Sequence, residues 1–465
     1  MKLYNSMTDQ KQELIVKDNT IRIYACGPTV YNYFHIGNGR SFIIFDMLQR
    51  YLKFRGYNVI FVQNFTDVDD KMIKKANEMN VSVKEVADKF IDEYFTDAHG
   101  LGIEKSSIHP RATENIEQII EMIKILIEKN HAYVSQGDVY FRVRSFKDYG
   151  KLFKQSIDEL EVGARIDANE IKEDMLDFAL WKNAKDGEIS WESPWGSGRP
   201  GWHIECSVMA KHYLGDTIDI HCGGGDLRFP HHENEIAQSE CANGCEFARF
   251  WFHAGFVNVN SEKMSKSKNN FFTVRDLAGV YGYDALRFFA LSAHYRNPIN
   301  FAPEIIEQAQ QSLSRLYNCV ENLNFLEKNA ENEDFINDEN DILAKKSNEF
   351  KQKFIKEMDD DLNTANAISV LFEYIREINI LTQNNQCSKK FLHDLNDSLS
   401  ELLAIMGFSV KKENISSDEI DNLIEQRQTA RKNKDFALAD KIRDQLKNMG
   451  VILEDTANGI KWKMK

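Results

Sequence analysis

"IRIYACGPTVYNYFHIGNGRSFIIFDMLQRYLKFRGYNVIFVQN", residues 21–64, decides the fold class. Its first six residues, IRIYAC (21–26), read as a buried strand. In GRSFIIFDMLQRYLKFRG (39–56), Ile44, Leu48 and Leu52 recur at i, i+4 and i+8, and Gly56 supplies a C-cap, so this piece reads as a helix. YNVIFVQN (57–64) is then a second strand. A βαβ unit implies a parallel sheet with ligand sites outside the carboxyl ends of its strands. That directs attention to Cys26–Asn38 and to NFTDVDD, Asn64–Asp70.

At roughly 150 residues per domain, 465 residues suggest about three domains. TENIEQIIEMIKILIEKN (113–130) is an amphipathic helix, and HAYVSQGDVYFRV (131–143) alternates around Gly137 as a hairpin. Residues 118–198 read as an insertion, because glycine-rich, sheet-like sequence resumes at GRPGWHIEC (198–206). From about 303 onward the pattern is almost wholly helical. EKNAENEDFINDENDI (327–342) reads as an exposed acidic linker.

Several classes are excluded. No apolar run approaches the ~18 residues that span a bilayer, so no membrane partner is expected. The N-terminal stretch lacks a basic region followed by an apolar one, and a cytoplasmic location is expected. Seven scattered cysteines do not read as a disulfide framework; metal binding or buried thiols fit them better. A net charge of −14 argues against indiscriminate nucleic-acid binding. Asp421–Lys465 nevertheless holds ten Lys/Arg against seven Asp/Glu, a local basic excess.

Two segments point to phosphate chemistry. HIGN, His35–Asn38, opens the first helix, where backbone N–H groups and the helix dipole favour an anion. Gly37 lets a ligand approach, and His35 and Asn38 can donate to phosphate oxygens. KMSKS, Lys263–Ser267, places two lysines on a loop able to follow a pyrophosphate as it leaves. Neither a P-loop nor a dinucleotide fingerprint is present. Together the two segments resemble the signature of class I aminoacyl-tRNA synthetases.

DIHCGGGDLRFPHHENEIAQSEC (219–241) crowds metal-competent side chains into one window. If Pro230 begins a helix, His231 and Glu235 share a face. Thiolates are the strongest further candidates for zinc. Cys26 closes the first strand, and Cys206 begins another helix. Spacing leaves alternatives open: Cys222 in place of Cys26 or Cys206, His232 in place of His231, or a structural half-site at Cys241 and Cys245.

The chain closely resembles the cysteinyl-tRNA synthetase family over nearly its whole length. The segments that carry the resemblance are CGPTVYNYFHIGNGR, NFTDVDDK, GRPGWHIECS, DIHCGGGDLRFPHHENEIAQSE, KMSKSKNNFFTVRDL, EMDDDLNTANA and RKNKDFALADKIRDQLKNMGVILEDTANGIKW. The resemblance implies one Zn²⁺ per chain on Cys26, Cys206, His231 and Glu235. It implies that Gly27, Thr66 and Trp202 hold the amino and carboxylate ends of L-cysteine. His35, Gly37, Asn38, Lys263 and Lys266 would serve ATP, which brings Mg²⁺, and of these His35, Asn38, Lys263 and Lys266 would be catalytic. Two departures stand out: Asn38 replaces the final His of the general motif, and Cys222 occupies a position where the family has glycine.

The implied architecture is α/β. A Rossmann-like, doubly wound parallel sheet (1–117 and 199–247) is interrupted by a connective acceptor-end domain (118–198). A stem-contact region with the KMSKS loop (248–304), an all-α bundle (305–405) and a small anticodon-binding domain (406–465) follow. The implied reaction joins L-cysteine to tRNA(Cys) through a cysteinyl-adenylate, with no protein base assigned. Arg427, Arg431, Lys432 and Lys434, with Lys441, Arg443 and Lys447, would line RNA phosphates, and Trp462 would stack on a base. The rivals are a cysteine:amino-sugar ligase, which the basic tail disfavours, and a zinc-stabilised RNA-binding protein without catalysis.

Overall fold

The computed structural model of the protein describes residues 1–157, 159, 171–259, 262–263, 271–383, 386–408, 417–448, 451–456 and 459–464. They divide into two compact units. One comprises Met1–Leu313, Lys353–Ser369 and Ile405–Gly407; the other comprises Ser314–Gln352, Val370–Ala404 and Phe408–Lys465.

In the first unit a short antiparallel pair, β1 (Lys2–Asn5) and β2 (Gln10–Glu13), precedes the βαβ unit. That unit consists of β3 (Thr20–Ala25), α1 (Ile36–Phe54) and β4 (Asn58–Gln63), with β3 and β4 parallel. The helix starts three residues before the stretch read as helical, because the His35 ring caps it: Nδ1 accepts the Asn38 N–H at 3.2 Å. Arg55, not Gly56, is the C-cap; Gly56 follows in the left-handed region at φ +86°. Most of α1 is buried, so it is a core helix and not a surface amphipath. Arg40, fully buried on it, donates to the carbonyls of Gly255, Phe256, His294, Tyr295 and Asn297 at 2.7–3.4 Å.

The chain continues through α2 (Asp70–Met79), α3 (Val83–Gly100) and α4 (Ile116–Glu128). Strands β5 (Ala132–Ser135), β6 (Asp138–Phe141), β7 (Phe178–Asn183) and β8 (Gly198–Pro200) form an antiparallel sheet in sequence order. The β5–β6 hairpin turns at Gln136 and Gly137, both at positive φ, which matches the twist of the flanking strands. Next come α5 (Trp202–Leu214), β9 (Ile218–Gly224), α6 (His231–Asn243) and β10 (Ala248–Ala254). The central sheet has the order β10-β9-β3-β4, all parallel. Its edge strand β10 lies beyond residue 247, where the sequence reading ended the catalytic half. Strands β11 (Val257–Val259) and β12 (Glu262–Lys263) and helices α7 (Val274–Tyr281) and α8 (Tyr283–Leu291) follow, then β13 (Ile299–Phe301), parallel to β11.

Helices α9 (Pro303–Lys328), α10 (Glu339–Asp359), α11 (Thr364–Leu381) and α12 (Lys389–Ile405) follow, and the second unit takes the larger part of α9, α10, α11 and α12. The acidic stretch is only partly a linker, since α10 begins inside it. Glu339 is buried, accepting from the Ser388 N–H at 2.9 Å and its hydroxyl at 2.5 Å. Beyond them, α13 (Ser417–Lys432) and α14 (Phe436–Asn448) pack through Ile420, Leu423, Ile442 and Leu446. The chain then departs from the helical expectation: β14 (Val451–Thr456) and β15 (Gly459–Met464) form an antiparallel hairpin. No helix among the described residues is long and apolar enough to cross a membrane.

Candidate active site

Where β3, β4, β9 and β10 end, the sheet opens into a cleft of about 400 Å³. Its walls bring together Gly27, His35, Gly37, Asn38, Thr66 and Trp202 with three of the metal-ligand candidates, Cys26, Cys206 and His231. Lys263 lies in β12, its backbone paired with Asn258, and nothing is described of its side chain. Lys266 lies outside the described residues.

Each position has a local cause. Cys26 directly follows β3 and extends its ladder, donating its N–H to the Cys222 carbonyl at 3.1 Å. Gly27 donates its N–H to the Asn64 side chain at 2.9 Å. Thr66 gives its hydroxyl to Glu205, fully buried on α5, at 2.8 Å. Burial pushes the Glu205 carboxyl well above the usual range. Trp202, half exposed at the start of α5, stacks on the His231 ring at 4.1 Å between centroids. Cys206 does not begin its helix, as expected; α5 starts at Trp202 and places Cys206 one turn inside, where it is buried.

Helix α6 begins after Pro230, which puts His231 and Glu235 one turn apart with His231 Nε2 and Glu235 Oε1 at 3.0 Å. Ligand atoms of Cys26, Cys206, His231 and Glu235 all lie within 4.8 Å of one another, and all four residues are buried. The two sulfurs are 3.9 Å apart, and Cys26 Sγ is 3.5 Å from Glu235 Oε1. The contact with Cys26 holds the Cys206 thiol down at about 6, whereas burial pushes Cys26 up. Burial opposes charge on His231, yet Glu235 and Cys206 raise its ring to about 10. Burial likewise opposes charge on Glu235, but His221 and His231 keep its carboxylate well below the usual range. Two thiols, an imidazole and a carboxylate thus share one buried site. Such a mixed sulfur, nitrogen and oxygen donor set fits a borderline-soft divalent cation.

The structure gives His221, and His232, which spacing offered only in place of His231, a grouping of their own. A second group, Cys26, His221, His232 and Glu235, meets the same criterion and shares two members with the first. His221 Nε2 sits 2.8 Å from Glu235 Oε2. Strand alternation explains why His221 joins the cluster and its neighbour Cys222 does not: their side chains leave opposite faces of β9. The ring behind His231 is His203, Nδ1 to Nδ1 at 2.9 Å; behind His232 stand His253 at 2.8 Å and then Ser6 Oγ at 2.8 Å. Cys222, Cys241 and Cys245 belong to neither group. Among the basic residues of the tail, Arg431, Lys432, Lys434, Lys441, Arg443 and Lys447 are exposed, but Arg427 is buried and cannot lie along an RNA backbone as expected. Nothing is described of the Trp462 side chain, although its backbone pairs with Leu453.

Comparisons with known proteins agree with this architecture. The family described as "tRNA synthetases class I (C) catalytic domain" matches residues 12–311, a DALR domain matches 353–411, and the "Cysteinyl-tRNA ligase anticodon binding domain" matches 416–462. A Clostridioides difficile (strain 630) protein named Cysteine--tRNA ligase is 53% identical over 465 residues, covering 100% of both chains. Among solved structures, Mycobacterium tuberculosis methionyl-tRNA synthetase in complex with methionyl-adenylate superposes with a TM-score of 0.62 at 16% identity, over 83% of this chain and 89% of that one. The Agrobacterium radiobacter K84 agnB2 LeuRS in its ternary complex with tRNA and LeuAMS gives 0.62 at 11% identity, over 83% of each chain. At such identities these two likenesses concern the fold alone. With its parallel sheet, its cleft and its match along the full length, the chain belongs to the cysteine--tRNA ligase family of class I aminoacyl-tRNA synthetases.

Proposed function

We propose that this chain charges tRNA(Cys) with L-cysteine through a cysteinyl-adenylate, and that zinc held by Cys26, Cys206, His231 and Glu235 selects the amino acid. The carrying observation is that two thiols and an imidazole on the wall of the cleft that holds the N-terminus of α1 converge with the buried carboxylate of Glu235. Family membership supports the overall reaction. The anticodon-binding match at 416–462 speaks for tRNA as acceptor over an amino sugar.

In the first step the cysteine carboxylate displaces pyrophosphate from the ATP α-phosphate; in the second a terminal ribose hydroxyl of tRNA takes the acyl group from AMP. The carboxylate is already an anion, so no protein base is needed, and positioning with electrostatics carries the phosphoryl step. The first turn of α1 offers the Gly37 N–H and the Asn38 side-chain amide to the phosphates, which Mg²⁺ accompanies, while the Ile36, Asn38 and Gly39 N–H groups are engaged within the protein. With His35 Nδ1 engaged as the cap, that nitrogen orients the turn and does not reach the ligand. Lys263 and Lys266 would follow the leaving pyrophosphate. Gly27 and Thr66, on adjoining strand ends, hold the amino acid, with Trp202 closing over it. Zinc, when bound, would supply a soft acceptor for the substrate's thiolate that a serine hydroxyl cannot match.

An apolar pocket separates near-isosteres by only about 10–200-fold. A ~10⁴-fold preference for cysteine needs about 5.5 kcal/mol, on the scale of about 1.4 kcal/mol per decade. The test is cysteine-dependent ATP–pyrophosphate exchange with serine as competitor, alongside zinc quantification. Cysteine-selective exchange that falls with zinc content is expected. Selectivity undiminished in zinc-free protein would overturn the metal's role.

A further inference from the structure

The geometry points to two positions for one metal ion: an outer one on Cys26, Cys206, His231 and Glu235, facing the cleft, and an inner one on Cys26, His221, His232 and Glu235, sealed beneath it. This inference rests on the metal-binding reading above and concerns where the ion can sit. A tetrahedral ion with bonds of about 2.0–2.3 Å spaces its ligand atoms roughly 3.3–3.8 Å apart. The outer set shows Cys26–Cys206 at 3.9 Å and His231–Glu235 at 3.0 Å. The inner set shows Cys26 Sγ to His232 Nε2 at 3.4 Å and His232 Nε2 to Glu235 Oε1 at 4.0 Å. Both share the 3.5 Å edge from Cys26 Sγ to Glu235 Oε1. An ion can therefore cross that edge, exchanging Cys206 and His231 for His221 and His232, without releasing its two common ligands.

Two observations mark the inner set as more than packing. His232 turns Nδ1 to His253, which in turn meets Ser6, a backing that leaves Nε2 aimed at Cys26. His221 turns Nε2 to Glu235 Oε2 at 2.8 Å, while its Nδ1 is buried with no hydrogen-bond partner. The two positions also differ in what they reach. Cys206 and His231 line the cleft, whereas His221 and His232 do not. An ion in the outer position meets a substrate sulfur; in the inner position it is retained but out of reach. The inner position is thus a holding site that keeps the metal in the protein while the outer one is remodelled.

The experiment uses the full-length protein loaded with Zn²⁺ for stoichiometry and Co²⁺ for its spectrum. Cys206→Ala and, in parallel, Cys206→Ser are expected to keep about one metal per chain, with the thiolate-to-cobalt band reduced to about half because one thiolate remains. Cysteine-dependent exchange is lost in both. Adding His232→Ala to either is expected to release the metal. In the unaltered protein, saturating cysteine is expected to strengthen the cobalt band by more than the one thiolate the substrate brings, as ions cross to the outer set. Folded Cys206 variants that bind no metal, double variants that still hold it, or a rise worth one thiolate only would overturn the two-position proposal. Unaltered protein that binds no metal at all would instead sink the zinc reading beneath it.

Discussion

Gly27 and Asn64 stand at the ends of neighbouring parallel strands so closely that a Cβ on Gly27 would fall 1.6 Å from the Asn64 carbonyl oxygen. The obstacle is backbone, so no side-chain rotation can relieve it. Gly27→Ala is expected to spread the strand ends that form the floor of the cleft. It should destabilise the protein by about 3 kcal/mol, the upper end for overpacking, and abolish cysteine-dependent exchange. Denaturant unfolding and exchange kinetics check the two effects together; near-normal values for both would show that β3 and β4 separate freely there.

His109 predicts an acid limb of stability. Its largely buried ring stacks on Phe65 and donates from Nδ1 to the Gln63 carbonyl at 3.0 Å. Burial brings its pKa down to about 4. The unfolded chain therefore takes up the proton near 6.5 and the folded chain only near 4. This contribution is complete above pH 6.5 and is lost as pH falls toward 4, costing about 3 kcal/mol over that window. His109→Leu should lessen the drop in unfolding free energy between pH 7 and 4.5, read from urea titrations, by about 2 kcal/mol. An unchanged drop would remove His109 from the acid response.

Asp46 and Arg287 form an ion pair at 2.6 Å with no exposure of either side chain. Arg287 also donates to the Met406 carbonyl at 2.8 Å and the Leu101 carbonyl at 3.0 Å. Without Arg287 the buried Asp46 keeps only Arg50, at 2.9 Å, as a cation partner, so Arg287→Met should cost about 3 kcal/mol, the lower end for breaking a buried pair. The double replacement Asp46→Leu with Arg287→Met should recover part of that loss. Unfolding midpoints of the single and double variants decide; a single-variant loss below about 1 kcal/mol would contradict the pairing.

The exposed cations Arg431, Lys432 and Lys434 close α13 and the turn after it. Lys432→Glu with Lys434→Glu should raise KM for tRNA several-fold and flatten its salt dependence, because phosphate contacts release counterions. Exchange without tRNA should not change. Equal KM values would free this turn of any RNA role. A truncation for the same purpose should begin after residue 408, since the Met406 carbonyl is a partner of buried Arg287.

What the sequence disclosed follows from where its information is local. The βαβ unit was legible because apolar spacing and strand runs are contiguous from Ile21 to Asn64. His231 and Glu235 were legible because one helical turn separates them. Cys26 and Cys206 rested on family likeness: 180 residues lie between them, and only the sheet joins their sulfurs. His221 was missed because its role depends on strand parity and on a neighbouring helix, neither of which a window of residues displays. Arg427 was misread because charge suggests a surface, while helix packing decided otherwise. Glu339 inside the acidic stretch was misread in the same way, its burial set by Ser388 from a distant segment.

Arg40 gathers carbonyls from segments 215 to 257 residues downstream, and burial is complete around it. A chain of only the first two hundred residues therefore lacks every carbonyl partner of Arg40, and burying the guanidinium then would leave it unsatisfied. Helix α1 cannot settle into its final bed until residue 297 has emerged. Closure of the sheet over α1 thus belongs to the late part of synthesis, after residue 297 is made.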